Sequence, residues 1–292
     1  MEGITSKSTR LQEVEAEAVL SVSKRNTVQA ILEKRVPKGD VLEMARVAGL
    51  FAVKNTHLIL PHIYPSAIEF AAVDYQITDF EIHISIQISS VGKSSLEVNA
   101  MHGASITALT VYDMLKPIDK EVSIVRLAMV EKSDKYNHSK YSKRFDAALV
   151  LCSNAVVKGI KSDTAGQAIL EKLKSLNADI TSYNIIPDDL ELIREHAKSL
   201  AKENQLLVFS GGTGLSKTDL TTEALLPILD RRIPGIAEAM RSYGQVRTPY
   251  AMFSRSLAGM IGNCLVLAIP GSTRGAEESM DAVFPDLLHA LK

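Results

Sequence analysis

Apolar and polar positions follow two different grammars in the two halves of the chain. In the first half, period-two stretches alternate with helical ones. EAVLSVS, residues 17–23, reads as a strand, and Asn26 or Thr27 caps a short helix running through Glu33. Asp40 is a favourable N-cap for a second helix that carries Val41, Met44, Ala45, Ala48 and Phe51 near one face. Pro61 and Pro65 make the next segment a loop. Alternation returns in residues 67–77 and 81–89, where Ile82, Ile84, Ile86 and Ile88 share a face while His83, Ser85 and Gln87 point the other way. This pair predicts an antiparallel hairpin with one covered face. A helix from about Glu97 to Lys116 stops at Pro117, and Val122 to Val130 reads as a closing strand. Helices mixed with antiparallel neighbours predict an α+β sandwich.

Residues 131–144 have no apolar periodicity and are crowded with Lys, Ser and Tyr, which marks the linker. Beyond it, strands and helices alternate regularly: 147–152 strand, 164–176 helix, 180–186 strand, a helix opened by Pro187-Asp188-Asp189, 205–210 strand, and a strand at 263–270 before a terminal helix. That order predicts a doubly wound, mostly parallel α/β sheet, whose ligands sit beyond the carboxyl ends of the strands. Those ends carry Pro-Asp-Asp, Ser210-Gly211-Gly212-Thr213-Gly214 and Pro270-Gly271-Ser272. The domains expected are 1–132, a linker at 133–143, and 144–292.

Composition sharpens this by exclusion. With 33 Lys plus Arg against 34 Asp plus Glu, and the balance near zero in each half, there is no basic excess of the kind nucleic-acid binding leaves. No apolar run approaches the roughly 18 residues needed to span a bilayer, and residues 1–10 lack the apolar core of a secretory signal. Cys152 and Cys264 have no metal-ligand spacing and read as reduced core thiols of a cytoplasmic protein.

A strand running into Ser-Gly-Gly-Thr-Gly lets backbone N–H groups face an anion without side-chain obstruction. Ser216 before Lys217 excludes the Walker A pattern, which needs Gly there. A helix start near Thr221 or Thr222 would favour phosphate. Asp188 and Asp219, both at strand ends, suit a Mg²⁺ bridging nucleotide phosphates, although Asp188 taken singly equally suits a first-turn helix acid.

Residues 210–214 with Asp219-Leu-Thr, Ile233 to Arg241 including Glu238, Ser254-Arg255 and Pro270 to Ser272 resemble the MoaB/MogA family of molybdenum-cofactor biosynthesis across 144–292. The resemblance implies a molybdopterin adenylyltransferase: AMP passes from Mg-ATP to the terminal phosphate of molybdopterin and pyrophosphate leaves. Asp188 and Asp219 match the family's functional acids, and Asp163 matches an acid before its first helix. Thr221-Thr222 stands for the family's Thr-Pro, and Ser153-Asn154 for its Ser-Asp. Lys217, Arg241 and Arg255 are the cations that would offset repulsion between two polyanions.

In the first half, Lys38 to Val41, Ala45 to Gly49, Lys54 and Ala108 to Lys116 resemble MoaC, the cyclic pyranopterin monophosphate synthase. The resemblance implies a ferredoxin-like α+β fold, GTP-derived pterin substrates, and hexamers with sites between subunits; both parent families assemble as trimers or hexamers. Lys38, Lys54 and Lys116 match the family's lysines, and Glu97 the first acid of its Glu-x-Glu. Asp113 and Lys116, spaced i, i+3, share a helix face for one ligand or for pairing with each other. The departures are Asn99 for the second glutamate, Leu58, Ile63 and Tyr64 at the family's Asp, Cys and His in the loop after Lys54, and Ser133 to Asn137 for a Gly-Gly-Lys-Ser-Gly tail. A phenol near pKa 10 cannot serve where imidazole near 6.5 does without a large shift. Two readings stay open: a synthase using Tyr64, His62 or His102, and a degenerate synthase kept for assembly or pterin binding. For the whole chain the alternatives are a non-catalytic pterin-binding scaffold and a nucleotide-binding regulator.

Overall fold

Alternation in the first half builds one sheet. The computed structural model describes residues 3–130 and 143–291, so the expected linker, apart from Lys143, and the stretch Ser133 to Asn137 lie outside the described residues. In the unit Met1–Lys135, strands β1 (Arg10–Ser21), β2 (Phe70–Ile77), β3 (Glu81–Gly92) and β4 (Ser123–Met129) join helices α1 (Arg25–Leu32), α2 (Val41–Ile59) and α3 (Glu97–Leu115). The sheet order is β2-β3-β1-β4, the ferredoxin-like arrangement. Register explains the covered face: Ile82, Ile84, Ile86 and Ile88 lie opposite Leu20, Ala18, Ala16 and Val14 of β1, and opposite Ile77, Tyr75, Val73 and Ala71 of β2. All four isoleucines are buried in one cluster with residues of α2 and α3.

Two expectations change. Neither Asn26 nor Thr27 caps α1; Lys24 occupies that position without a side-chain bond. The buried Asp119 carboxylate instead accepts from the Ser23 N–H (2.8 Å), Ser23 Oγ (2.7 Å) and Thr27 Oγ1 (3.0 Å). The packed face of α2 is Val41, Ala45, Gly49, Ala52, Val53 and Thr56, while Met44 and Phe51 are exposed. Small residues prevail on that face because α3 lies directly against it.

The unit Tyr136–Lys292 contains β5 (Phe145–Cys152), α4 (Asn154–Val157), α5 (Thr164–Ser175), β6 (Ala178–Ile186), α6 (Leu190–Leu200), β7 (Leu206–Ser210), α7 (Thr221–Leu225), β8 (Arg231–Arg232), α8 (Pro234–Gln245), β9 (Leu257–Ile261), β10 (Cys264–Ile269) and α9 (Thr273–Val283). The sheet order is β6-β5-β7-β10-β9-β8. Its first four strands are parallel, and the β8–β9 and β9–β10 pairs are antiparallel. The chain leaves β5 to one side for β6 and returns on the other for β7, so the switch point of the α/β topology falls between β5 and β7. Both sheet faces are covered by separate apolar clusters. Cys152 and Cys264 are buried, unpaired thiols within these strands, and burial pushes both up to about 12.

Candidate functional site

Three parallel strands end side by side at the switch point, and their tips form the floor of a cavity of about 620 Å³. β7 ends at Ser210, whose hydroxyl donates to the Pro270 carbonyl at the end of β10 (3.2 Å). Gly211 follows at φ +101°, in the left-handed region, and a side chain there would collide with the Cys152 carbonyl of β5. Only glycine therefore lets the loop turn away between its neighbours. Gly211, Gly212, Thr213, Gly214, Gly271 and Ser272 all line the cavity.

Asp188 and Asp219 face the same space. The helix α6 is capped by Asp189, whose carboxylate accepts from the Glu191 and Leu192 N–H groups at 3.0 Å. Asp188 is thus released from helix duty. It accepts from the Asn154 N–H (3.1 Å), and its own N–H donates to Asn154 Oδ1. Burial pushes the Asp188 carboxyl above the ordinary range, the Asn154 hydrogen bond opposes this, and the charge of Asp219 adds to it. The two carboxylates thus face one cavity, near enough for the charge of Asp219 to act on Asp188. Asp219 Oδ2 accepts from the Ser216 N–H (2.7 Å).

The remaining sequence-derived residues divide by position. Asp163 lines the cavity, but its carboxylate caps α5 through the Gly166 N–H (2.7 Å) and accepts from the Tyr183 hydroxyl. Ser272 likewise caps α9 through the Gly275 N–H (3.2 Å). Thr164 and Thr273, the first residues of these helices, share a hydroxyl contact of 2.5 Å. Arg241 lines the cavity and spends one N–H on the Ser256 carbonyl (3.2 Å). Ser254 lines it too, hydrogen-bonded to Ser256 (2.7 Å). Arg255 works from behind the loop: Nε donates to the Gly214 carbonyl (2.7 Å), one terminal nitrogen to the Asp219 carbonyl (2.8 Å), and the other pairs with Glu223. Glu238 and Lys217 are exposed and lie outside the lining. The expected phosphate-favouring helix start at Thr221 belongs to a five-residue helix, too short for its dipole to matter. Sequence reasoning missed Thr248, Tyr250 and Phe253, which form one wall; Pro249, a start signal for a helical turn, was the available clue.

In the first unit, Lys38 Nζ pairs with Asp113 (2.7 Å to Oδ2) and also donates to its carbonyl (2.9 Å). Lys116 packs over the Tyr112 ring and donates to its hydroxyl, so the i, i+3 pair with Asp113 is not made. Glu97 opens α3 at the opposite end, about 24 Å from Asp113 by helical rise. The helices α2 and α3 run antiparallel: Lys38, just before α2, bonds to Asp113 near the end of α3, Gly49 lies against Thr107, and Asn99 Nδ2 near the start of α3 donates to the Val53 carbonyl (3.1 Å), with His102 Nδ1 meeting Thr56 Oγ1 (3.1 Å) close by. Lys54 is exposed and follows Val53, which Asn99 ties to the start of α3, so it lies toward the Glu97 end of α3 and away from the Lys38 end. Asn99 is a buried tie between helices. Tyr64 borders a separate polar cavity of about 290 Å³ with Ser66, Ser90 and Lys93, and His62 is exposed.

Both units have known relatives. Residues 1–134 match the MoaC family, and residues 148–289 match the probable molybdopterin binding domain. A molybdenum cofactor biosynthesis bifunctional protein of Chlorobaculum tepidum is 31% identical over 266 residues, covering 90% of this chain and 85% of that protein. A cyclic pyranopterin monophosphate synthase of Geotalea uraniireducens is 39% identical over 135 residues, 45% of this chain and 83% of that protein. The solved structure of the molybdopterin biosynthesis enzyme MoaB from Thermus thermophilus is 38% identical and covers 50% of this chain and 94% of its own, with a TM-score of 0.48.

Proposed function

The chain belongs to the bifunctional molybdenum cofactor biosynthesis family, a MoaC unit followed by a molybdopterin-binding unit, and from that premise we propose that the second unit is a molybdopterin adenylyltransferase. The observation that carries this reading is the single cavity in which glycine-loop backbone, Arg241 and the Asp188/Asp219 pair converge. In the reaction a terminal phosphate oxygen of molybdopterin attacks the α-phosphorus of ATP, a P–O bond forms, and the bond to pyrophosphate breaks. The backbone of Gly211 to Gly214 and of Gly271 binds phosphate oxygens, Arg241 offsets charge, and the buried floor excludes water. These groups align the two polyanions.

Magnesium fits the donors present. The carboxylates are hard oxygen ligands, and a divalent cation would offset both the burial that chiefly raises Asp188 and the added charge of Asp219. Among the described residues no group of three or more His, Cys, Asp or Glu side chains gathers in ligating range. Substrate phosphates and water would complete the shell, as magnesium ordinarily requires. Asp188 and Asp219 would hold it, and it would supply charge neutralisation on the transferring phosphate. Transfer of label from α-labelled Mg-ATP tests the assignment: Asp219→Asn should lower turnover about 100-fold, and unchanged turnover would remove Asp219 from the site.

In the first unit the reading is a site for a GTP-derived pterin shared between copies of the chain. Lys38, Asp113 and Lys116 lie at one end of α3 and Lys54 and Glu97 at the other, so one copy cannot bring all five to one small ligand. A homo-trimer or homo-hexamer supplies the second copy. Tyr64 leaves the acid–base chemistry of this site altered relative to the synthase pattern.

A further inference from the structure

One wall of the large cavity differs in character from its floor. Carboxylates, glycines, serines and threonines dominate elsewhere, but a short 3₁₀ turn, Pro249–Phe253, brings Tyr250 and Phe253 to the edge. They are the two aromatic side chains among the described residues that line the space. A 3₁₀ helix repeats every three residues, so positions i and i+3 eclipse and the two rings share one side of the turn. Tyr250 is 74% and Phe253 50% exposed, apolar surface left open beside a polar pocket.

The turn is firmly seated. The Ala251 N–H donates to the Thr248 carbonyl (3.3 Å) and the Ser254 N–H to the Ala251 carbonyl (3.1 Å). Ala251 also packs on Gly244 of α8, where a β-carbon on the glycine would lie 2.9 Å from that of Ala251. Only a glycine allows the turn to sit this close to α8. Ser254, Ser256 and Arg241 line the same cavity with polar groups, joined to one another by hydrogen bonds. A pair of rings in one cavity with polar side chains and two glycine loops has the form of a receptor for a flat nitrogen heterocycle carrying phosphate.

We infer that Tyr250 and Phe253 are the specificity-determining platform on which the fused ring of the phosphorylated ligand stacks. The inference rests on the adenylyltransferase reading and goes past it by naming what selects the ring, which neither the glycine loops nor the acid pair can do. Adenine and pterin share this chemistry, and the test separates them.

Calorimetric titration of the full chain with Mg-ATP, with molybdopterin and with magnesium tripolyphosphate tests it. Tyr250→Ala and Phe253→Ala should each weaken binding of the stacked ligand about 5- to 100-fold and leave tripolyphosphate unchanged. Tyr250→Phe and Phe253→Tyr should restore binding to near the native value. Whichever of ATP and molybdopterin is weakened identifies the ring on the platform. If both keep their native affinity in both alanine variants, or if tripolyphosphate weakens in parallel, the platform is overturned while the adenylyltransferase reading stands. Failure of the unsubstituted chain to bind either ATP or molybdopterin would overturn that reading as well.

Discussion

Asp119 shows how one residue does work that local sequence assigns elsewhere. Asn26 and Thr27 have the chemistry of helix caps, yet the Ser23 and Thr27 donors turn to a carboxylate more than 90 residues away. No local pattern reveals such a partner, which is why sequence alone misplaces the cap. Burial pushes the Asp119 carboxyl up, but hydrogen bonds from Ser23, Thr27 and the Glu121 N–H outweigh this and hold it below the usual carboxylate range. A group depressed in the folded state stabilises above its unfolded pKa of about 3.9 and loses that stabilisation as pH falls through the folded value. The first unit should therefore lose melting temperature below about pH 4. In Asp119→Asn the acid-induced loss should be shallower. Asp119→Ala should cost about 1–3 kcal/mol at neutral pH by stranding these donors, measured by denaturant unfolding. Asp188, by contrast, reads in sequence as either a first-turn helix acid or a site acid, and the structure places it before the cap Asp189, outside the helix.

At the scale of elements, periodicity reveals most of both sheets because the isoleucine alternation and the apolar parallel strands are buried as units. It fails for α2, where small residues face α3 and the larger Met44 and Phe51 face outward. It also passes over β8, only two residues long, and β9, whose antiparallel placement departs from the strand–helix rhythm. The glycine loop is legible as a motif, but its support is not. Arg255 reads as a ligand cation, whereas its donors bind the loop's own carbonyls and Glu223. Arg255→Ala should weaken Mg-ATP binding about tenfold by loosening the loop, as measured by calorimetry. Arg255→Lys should fail to rescue it, because an ammonium cannot reproduce the three-armed fork.

For the whole molecule, charge balance carries no sign of nucleic-acid binding and does not show where cations gather, and no described helix is long and apolar enough to cross a membrane. Met44, Val47 and Phe51 form an exposed stripe at i, i+3 and i+7 on α2. Such a stripe suits an interface, and on the proposed shared site a second copy of the chain would complete the divided lysine and acid groups of the first unit. Light scattering should find a trimer or hexamer, and Phe51→Glu should reduce it to smaller species; a monomeric native chain would contradict the shared site. For the second unit the decisive measurement is transfer from α-labelled Mg-ATP to molybdopterin by the two-unit chain. An adenylyltransferase puts label on the pterin and releases one pyrophosphate per AMP transferred. Label that stays with ATP, or AMP released without reaching the pterin, would contradict it.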